Sequence, residues 1–131
     1  MTDNESAEYE TMIDLTSELR LAVRPGLISL TGSLLASRLI SPDNDAELRD
    51  TSHSSEVVRS ARLVELVQNK VQQNPCHYHT FIEILQENSD QYRDILQRLE
   101  QVYQEQQQKD GNMISMYISN PLYKFIISRK M

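Results

Sequence analysis

The residue types that most often carry chemistry are concentrated in one short run, Cys76-His77-Tyr78-His79. Cysteine and histidine are common zinc ligands, but a structural zinc site needs four ligands, usually from two separated pairs. The run offers three candidate ligands at a single helix start, and His53 is the one other histidine that could approach as a fourth. The pattern favours polar residues at a helix start over a metal site, so we expect no bound metal.

The same run could in principle supply a Cys–His nucleophile pair. No residue pattern orients the histidine, and there is no glycine-rich or strand-end loop to build an oxyanion site. The phosphate-binding loop, the GxGxxG motif and the HExxH motif are absent from the sequence. We therefore predict that the chain is not an enzyme and needs no cofactor.

Charge is distributed unevenly along the 131 residues, whose formal net charge is −6. Residues 1–18 hold six acids and no base, which leaves 13 acids and 13 bases over residues 19–131. No block of lysine and arginine could follow a phosphate backbone, so nucleic-acid binding is not expected. The six acids are Asp3, Glu5, Glu8, Glu10, Asp14 and Glu18.

Composition limits the architecture to one small domain with tails. Only three glycines and four prolines are present, which disfavours an all-β fold with many tight turns. The single cysteine excludes an internal disulfide framework and favours a cytoplasmic location. Neither a secretory signal nor an apolar run of transmembrane length is found, so we expect no membrane insertion.

Apolar residues recur at helical spacing in six stretches between about residues 12 and 108. The first follows a capping-box pattern at Thr11 and Asp14, and Arg24-Pro25-Gly26 ends it. Ser41-Pro42 predicts a helix start, because proline's missing N–H is tolerated in the first turn. Each helix is too short to be stable alone. We predict an acidic disordered leader (1–11), an antiparallel all-α bundle (12–108) and an apolar, basic tail (109–131).

Three segments of the bundle resemble a known family. They are LLASRLISPDNDAELRD, SARLVELVQNKV and YHTFIEILQENSDQYRDIL. They are similar to the death-fold superfamily and most like its caspase recruitment domain (CARD), whose third-helix opening, fourth helix and fifth helix match residues 39–43, 61–67 and 78–85. The family often has glycine after its fourth helix, whereas this chain has residues 70–75 without one. A death-effector domain is the nearest competitor, although Arg93-Asp94-Ile95-Leu96 departs from its Arg-x-Asp-Leu pattern.

The resemblance implies a six-helix Greek-key bundle that joins similar bundles through asymmetric, oppositely charged faces. Two unlike faces on one molecule make a heterologous contact that can propagate into a filament. The basic face falls on the first and fourth helices, and the acidic face on the second and third. Ordinary solvated surface charge is the alternative interpretation. The basic positions are Arg20, Arg24, Arg59, Arg62 and Lys70, and the acidic positions are Asp43, Asp45, Glu47 and Asp50.

The C-terminal tail carries two short motifs. Residues 118–123 fit the pattern Φ-x-N-P-x-Y through Asn120, Pro121 and Tyr123, and resemble ligands of phosphotyrosine-binding domains. Residues 123–126 also fit the looser Y-x-x-Φ sorting signal. Because such motifs arise by chance, packing of this apolar segment on the bundle is the alternative interpretation.

These observations favour a non-enzymatic adaptor that makes homotypic CARD–CARD contacts in apoptotic or innate-immune signalling. Its expected partners are CARD-containing or other death-fold proteins, including copies of itself. A single bundle without a further domain could also act as a regulator or decoy. The alternative is a structural or regulatory helical bundle that does not assemble with its own kind.

Overall fold

The computed structural model of the chain describes residues 6–110, and the side chains of residues 6–108. This part of the chain is all-helical and contains no strand, which confirms the all-α part of the predicted fold class. It holds seven helices where the sequence predicted six. They are α1 (Ala7–Asp14), α2 (Thr16–Val23), α3 (Leu27–Ala36), α4 (Pro42–Arg49), α5 (Glu56–Gln73), α6 (Cys76–Gln86) and α7 (Ser89–Asp110).

The first helix begins at Ala7, before the predicted start at residue 12. Its cap is Ser6, whose side-chain oxygen accepts a hydrogen bond from the Tyr9 amide at 3.0 Å. Thr11, the predicted cap, is instead a buried helical residue whose hydroxyl donates to the Ala7 carbonyl at 2.7 Å. Residues 7–11 are therefore helical, and the predicted disordered leader is corrected at these positions.

The additional helix arises because the first predicted helix is interrupted at Leu15. This residue leaves the helical conformation, with φ −104° and ψ 19°, and its side chain is buried. The Gln68 side chain of α5 crosses the break, where Nε2 donates to the Met12 carbonyl at 3.0 Å and to Thr16 Oγ1 at 2.8 Å. The break thus keeps its polar groups satisfied inside the bundle.

The predicted break at Arg24-Pro25-Gly26 is confirmed between α2 and α3. Gly26 has φ +72°, in the left-handed region that favours glycine. A Cβ atom at this position would lie 2.8 Å from the Gln91 side-chain nitrogen. That nitrogen donates to the Pro25 carbonyl at 2.7 Å, so the turn is held against the start of α7.

The predicted start of α4 is also confirmed. Ser41 Oγ accepts from the Asn44 amide at 3.1 Å, and Asn44 Oδ1 accepts from the Ser41 amide at 3.1 Å. Pro42 occupies the first helical position, where it loses no hydrogen bond. This reciprocal cap lets a helix of eight residues with one buried side chain, Leu48, form at the edge of the bundle.

The core lies around α5, which packs against α1, α2, α4 and α6. Helix α7 covers α1, α2 and α6, while α3 packs against α4 and α6. No helix within residues 6–110 combines the length and apolarity needed to cross a bilayer. The core is mainly aliphatic, and its largest fully buried side chains include Phe81, Met12, Leu15, Leu19, Leu34, Leu39, Leu48, Leu63, Leu85 and Leu99.

We predict that Gln68→Leu lowers the free energy of unfolding by about 1–3 kcal/mol, because it preserves volume but leaves the Met12 carbonyl without its buried donor. Urea denaturation followed by circular dichroism measures the change. The matched control is Asn69→Leu on the exposed side of α5, which we expect to shift stability by less than about 0.5 kcal/mol. Equal effects of the two substitutions would show that Gln68 does not hold the break.

Candidate protein-interaction surfaces

The four acids assigned to the acidic face lie on or directly after α4, but they have different surroundings. Asp45 pairs with Arg49 one turn later, at 2.8 Å. Glu47 pairs with Arg62 of α5 at 3.0 Å. Asp43 is exposed and forms no ion pair with any described residue. Of these four acids, Asp43 alone has no ionic partner among the described residues, while Asp50 contacts His53 and has a structural role.

Asp50 organises the loop between α4 and α5. One carboxylate oxygen accepts from the Ser52 amide at 3.0 Å and from the Ser52 hydroxyl at 2.7 Å. The other lies 2.7 Å from His53 Nδ1. The hydrogen bond from the Ser52 side chain, followed by that from His53, lowers the pKa of Asp50 to about 2. The carboxylate thus shapes its own loop.

Arg59 is a correction to the predicted basic face, because its side chain is buried. Only 8% of the residue is exposed. Its guanidinium donates to the Leu48 carbonyl at 3.1 Å and to the Ser54 carbonyl at 3.2 Å. It therefore binds the last turn of α4, where helix carbonyls lack partners, and holds the connecting loop against α5.

Arg62 is partly exposed but already engaged. Its guanidinium contacts Glu47 at 3.0 Å and Glu65 at 3.1 Å. The hydrogen bond that Arg62 donates to Glu65, together with attraction by Glu47, raises the pKa of Arg62 above its ordinary value despite partial burial. Glu47 was assigned to the acidic face and Arg62 to the basic face. In the structure the two side chains pair with each other within one molecule.

The remaining basic positions divide between two places. Arg20 lies on α2 and Arg24 caps its C-terminus one turn later, and neither forms an ion pair with a described residue. Arg24 Nε donates to Ser60 Oγ of α5 at 3.4 Å. Lys70 lies farther along α5, where it lines a groove of about 380 Å³ with Arg38 and Ile40. Sequence reasoning missed Arg38, which follows α3 with φ 65°.

A second feature that the sequence did not reveal lies between α6 and α7. Tyr78 and Tyr103 stack with ring centroids 5.1 Å apart. The Tyr103 hydroxyl donates to Glu8 Oε2 at 2.9 Å, and His79 Nε2 lies 3.3 Å from the same oxygen. Burial, reinforced by Glu8, raises the pKa of Tyr103 to about 12. Glu8 was assigned to the leader, so only tertiary structure could place it here.

The three candidate metal ligands at the start of α6 do not converge. Cys76 is exposed, His77 is half-buried and His79 contacts Glu8. Across residues 6–108, no three or more His, Cys, Asp or Glu side chains are grouped so that they could hold a metal ion. The docking motif at Asn120, Pro121 and Tyr123 lies outside the described residues.

Comparisons with protein-family models, curated proteins and solved structures found no match for this chain.

We predict that Arg59→Met and Arg62→Met differ strongly in stability, although both remove one guanidinium from α5. Arg59→Met leaves two main-chain carbonyls without their donor and should cost about 1–3 kcal/mol. Arg62→Met removes partly exposed ion pairs and should cost at most about 1 kcal/mol. Urea denaturation of both variants measures the difference. A larger loss for Arg62→Met would contradict the structural role of Arg59.

We predict that Ser52→Ala raises the pKa of Asp50 from about 2 toward its ordinary value of 3.8. Because the pKa of Asp50 is lower in the folded state, ionisation of this carboxylate stabilises the fold, and the contribution is fully present above a pH of about 3.8. It is lost as the pH falls through the folded-state pKa of about 2. Carboxyl-carbon NMR titration measures the shift. Thr51→Ala, in the same exposed loop, is the control and should leave the titration of Asp50 unchanged.

Proposed function

We propose that this chain is a non-enzymatic interaction module that makes homotypic contacts of the death-fold kind, most like those of a CARD. Its partners are copies of itself or other death-fold bundles in apoptotic or innate-immune signalling in the cytoplasm. It acts there as an adaptor or as a regulator that competes for the same contacts. The observation that carries the proposal is a pair of unlike, unpaired charged patches on α2 and α4.

The basic patch consists of Arg20 on α2 and Arg24 at the C-terminal cap of the same helix. Their spacing of four residues places both guanidinium groups on one side of the helix. The contact of Arg24 with Ser60 brings this side next to the beginning of α5. Val57, one turn before Ser60, is 53% exposed and adds apolar area beside the charges. A basic patch with an adjoining apolar side chain can both steer an acidic partner and bury surface against it.

The acidic patch is centred on Asp43 in the first turn of α4. Helices α2 and α4 pack on α5, so α5 links the two patches in one rigid unit. Because the patches have opposite charge, the basic patch of one copy can meet the acidic patch of the next. The pair then keeps one free patch of each kind, one on each copy, and association can continue along a chain of molecules.

The order of the helices also supports the proposal. If α1 and α2 are counted as one helix interrupted at Leu15, the chain has six helices in the described residues. The third of these, α4, has only eight residues, and the fourth, α5, has 18. The Greek-key arrangement of the six helices remains part of this proposal.

A second candidate is a regulatory helical bundle that does not assemble with its own kind. It is favoured by the ion pair between Glu47 and Arg62, which satisfies one acidic and one basic position internally. The burial of Arg59 removes a further charge from the surface. This candidate predicts a monomer at every concentration, so the same experiment separates the two functions.

We predict that reversing either patch abolishes self-association while mixing the two variants restores it. The basic variant carries Arg20→Glu and Arg24→Glu, and the acidic variant carries Asp43→Lys. Each variant alone presents two patches of like charge. In a mixture the two intact patches can meet, and the two reversed patches can form the same contact with their charges exchanged, so association can again continue. Sedimentation velocity over a concentration series measures all three samples beside the unaltered chain.

Arg93→Glu is the matched control, because Arg93 is exposed on α7 and pairs only with neighbouring Asp90. It should assemble like the unaltered chain, and circular dichroism should show native helicity for every variant. If the unaltered chain stays monomeric, the second candidate is correct. If the patch variants assemble as well as Arg93→Glu, the patches are not the contact.

A further inference from the structure

The groove between α6 and α7 has the dimensions of a binding site. Its volume is about 510 Å³, within the range of pockets that enclose several large apolar groups. Ile82 and Leu96 lie on its walls and are half-buried, beside the stacked rings of Tyr78 and Tyr103. The bundle's apolar core therefore continues to the surface here without a covering element from residues 6–108.

The groove is also electrostatically one-sided. Glu100 lines it, no lysine or arginine among the described residues does, and Glu8 lies behind Tyr103 at hydrogen-bond distance. Burial, and next the negative charge of Glu100, raises the pKa of Tyr78. An apolar ligand that also carries positive charge suits these surroundings.

The chain's own C-terminal segment has this composition. Residues 111–131 contain Lys124, Arg129 and Lys130 and no acid after Asp110. Ten large apolar residues lie within residues 113–127, namely Met113, Ile114, Met116, Tyr117, Ile118, Leu122, Tyr123, Phe125, Ile126 and Ile127. The combination complements both the apolar walls and the negative charge of the groove.

The segment also begins close enough to reach the groove. Helix α7 forms one wall between Leu96 and Tyr103 and ends at Asp110, so its end is about 10–21 Å from those residues along the helix axis. The following 21 residues can span up to about 70 Å when extended. Gly111 stands at the junction, where it permits the chain to reverse direction.

We propose that residues 113–127 fold back in cis and dock in the α6–α7 groove, with apolar side chains on Ile82 and Leu96 and Lys124 near Glu100. The docked segment covers apolar surface that is otherwise open to solvent. The groove is lined by residues of α6 and α7, and none of Arg20, Arg24 and Asp43 lines it. The inference is therefore independent of the proposed homotypic association.

The single cysteine allows a direct test on the full chain. Cys76 is exposed at the first residue of α6 and precedes His79 by three residues, so both lie on the same side of that helix. A nitroxide attached to Cys76 should strongly broaden the amide resonances of residues 113–127 in the isotope-labelled protein. If these amides are not broadened, the proposal is overturned.

Variants distinguish docking from the proximity that the chain connection alone would produce. Glu100→Lys should lower the docked-to-undocked ratio by about fivefold, the effect of losing one surface ion pair of ordinary strength. Glu105→Lys, an exposed position on the same helix that does not line the groove, is the matched control. Phe125→Ser with Ile126→Ser should weaken the broadening without touching the bundle. Equal broadening in all variants would overturn the proposal.

A mixed sample tests whether the occupant belongs to the same molecule. Isotope-labelled Cys76→Ser protein is combined with unlabelled protein that carries the nitroxide. Docking in cis predicts no broadening of residues 113–127 in this mixture. Broadening there would show that a second copy supplies the segment and would overturn the proposal.

Discussion

The arrangement of the bundle depends on the hydrogen bonds that Gln68 makes across the break at Leu15. A helix interrupted in an apolar interior must find other partners for its main-chain groups, or the interruption becomes costly. Gln68 supplies them from the central helix, at 3.0 Å to the Met12 carbonyl and 2.8 Å to Thr16 Oγ1. The break lets α1 follow α7 while α2 takes its own course along α5. The break therefore sets the position of Glu8, which lies on α1 behind the α6–α7 groove. It also sets the position of the basic patch, because Arg20 lies on α2 and Arg24 caps that helix.

Charged residues in this protein divide into those that hold the fold and those that remain free. Arg59 fixes the end of α4 and the following loop, and Asp50 orders that loop from the other side. Arg62 joins α4 to α5 through Glu47. A count of local charge does not distinguish these residues from Arg20 or Asp43. Arg59 and Arg62 already bind groups of the same bundle, whereas Arg20 and Asp43 form no ion pair with a described residue. The interaction surface is therefore smaller than the charge pattern alone indicates.

The sequence correctly predicted those helix starts and turns that are determined by neighbouring residues in the chain. Helical spacing and the Ser41-Pro42 cap correctly predicted α4, and glycine at residue 26 correctly predicted the turn before α3. The break at Leu15 could not be predicted, because no proline or glycine marks it and its partner is Gln68, 52 residues after Thr16. The burial of Arg59 was missed for a similar reason, since the carbonyls it binds are brought to it only by the packing of α4.

Acids of the N-terminal region have a structural role that only tertiary contacts reveal. Glu8 accepts the Tyr103 hydroxyl, Asp14 accepts the Gln106 amide and Glu18 pairs with Arg98. All three partners lie on α7, at intervals of three to five residues. The acids that give the chain much of its net charge of −6 are thus part of the seam between its first and last helices. Because Glu8 belongs to this seam and also stands behind the α6–α7 groove, the same contacts that close the bundle make the groove negative.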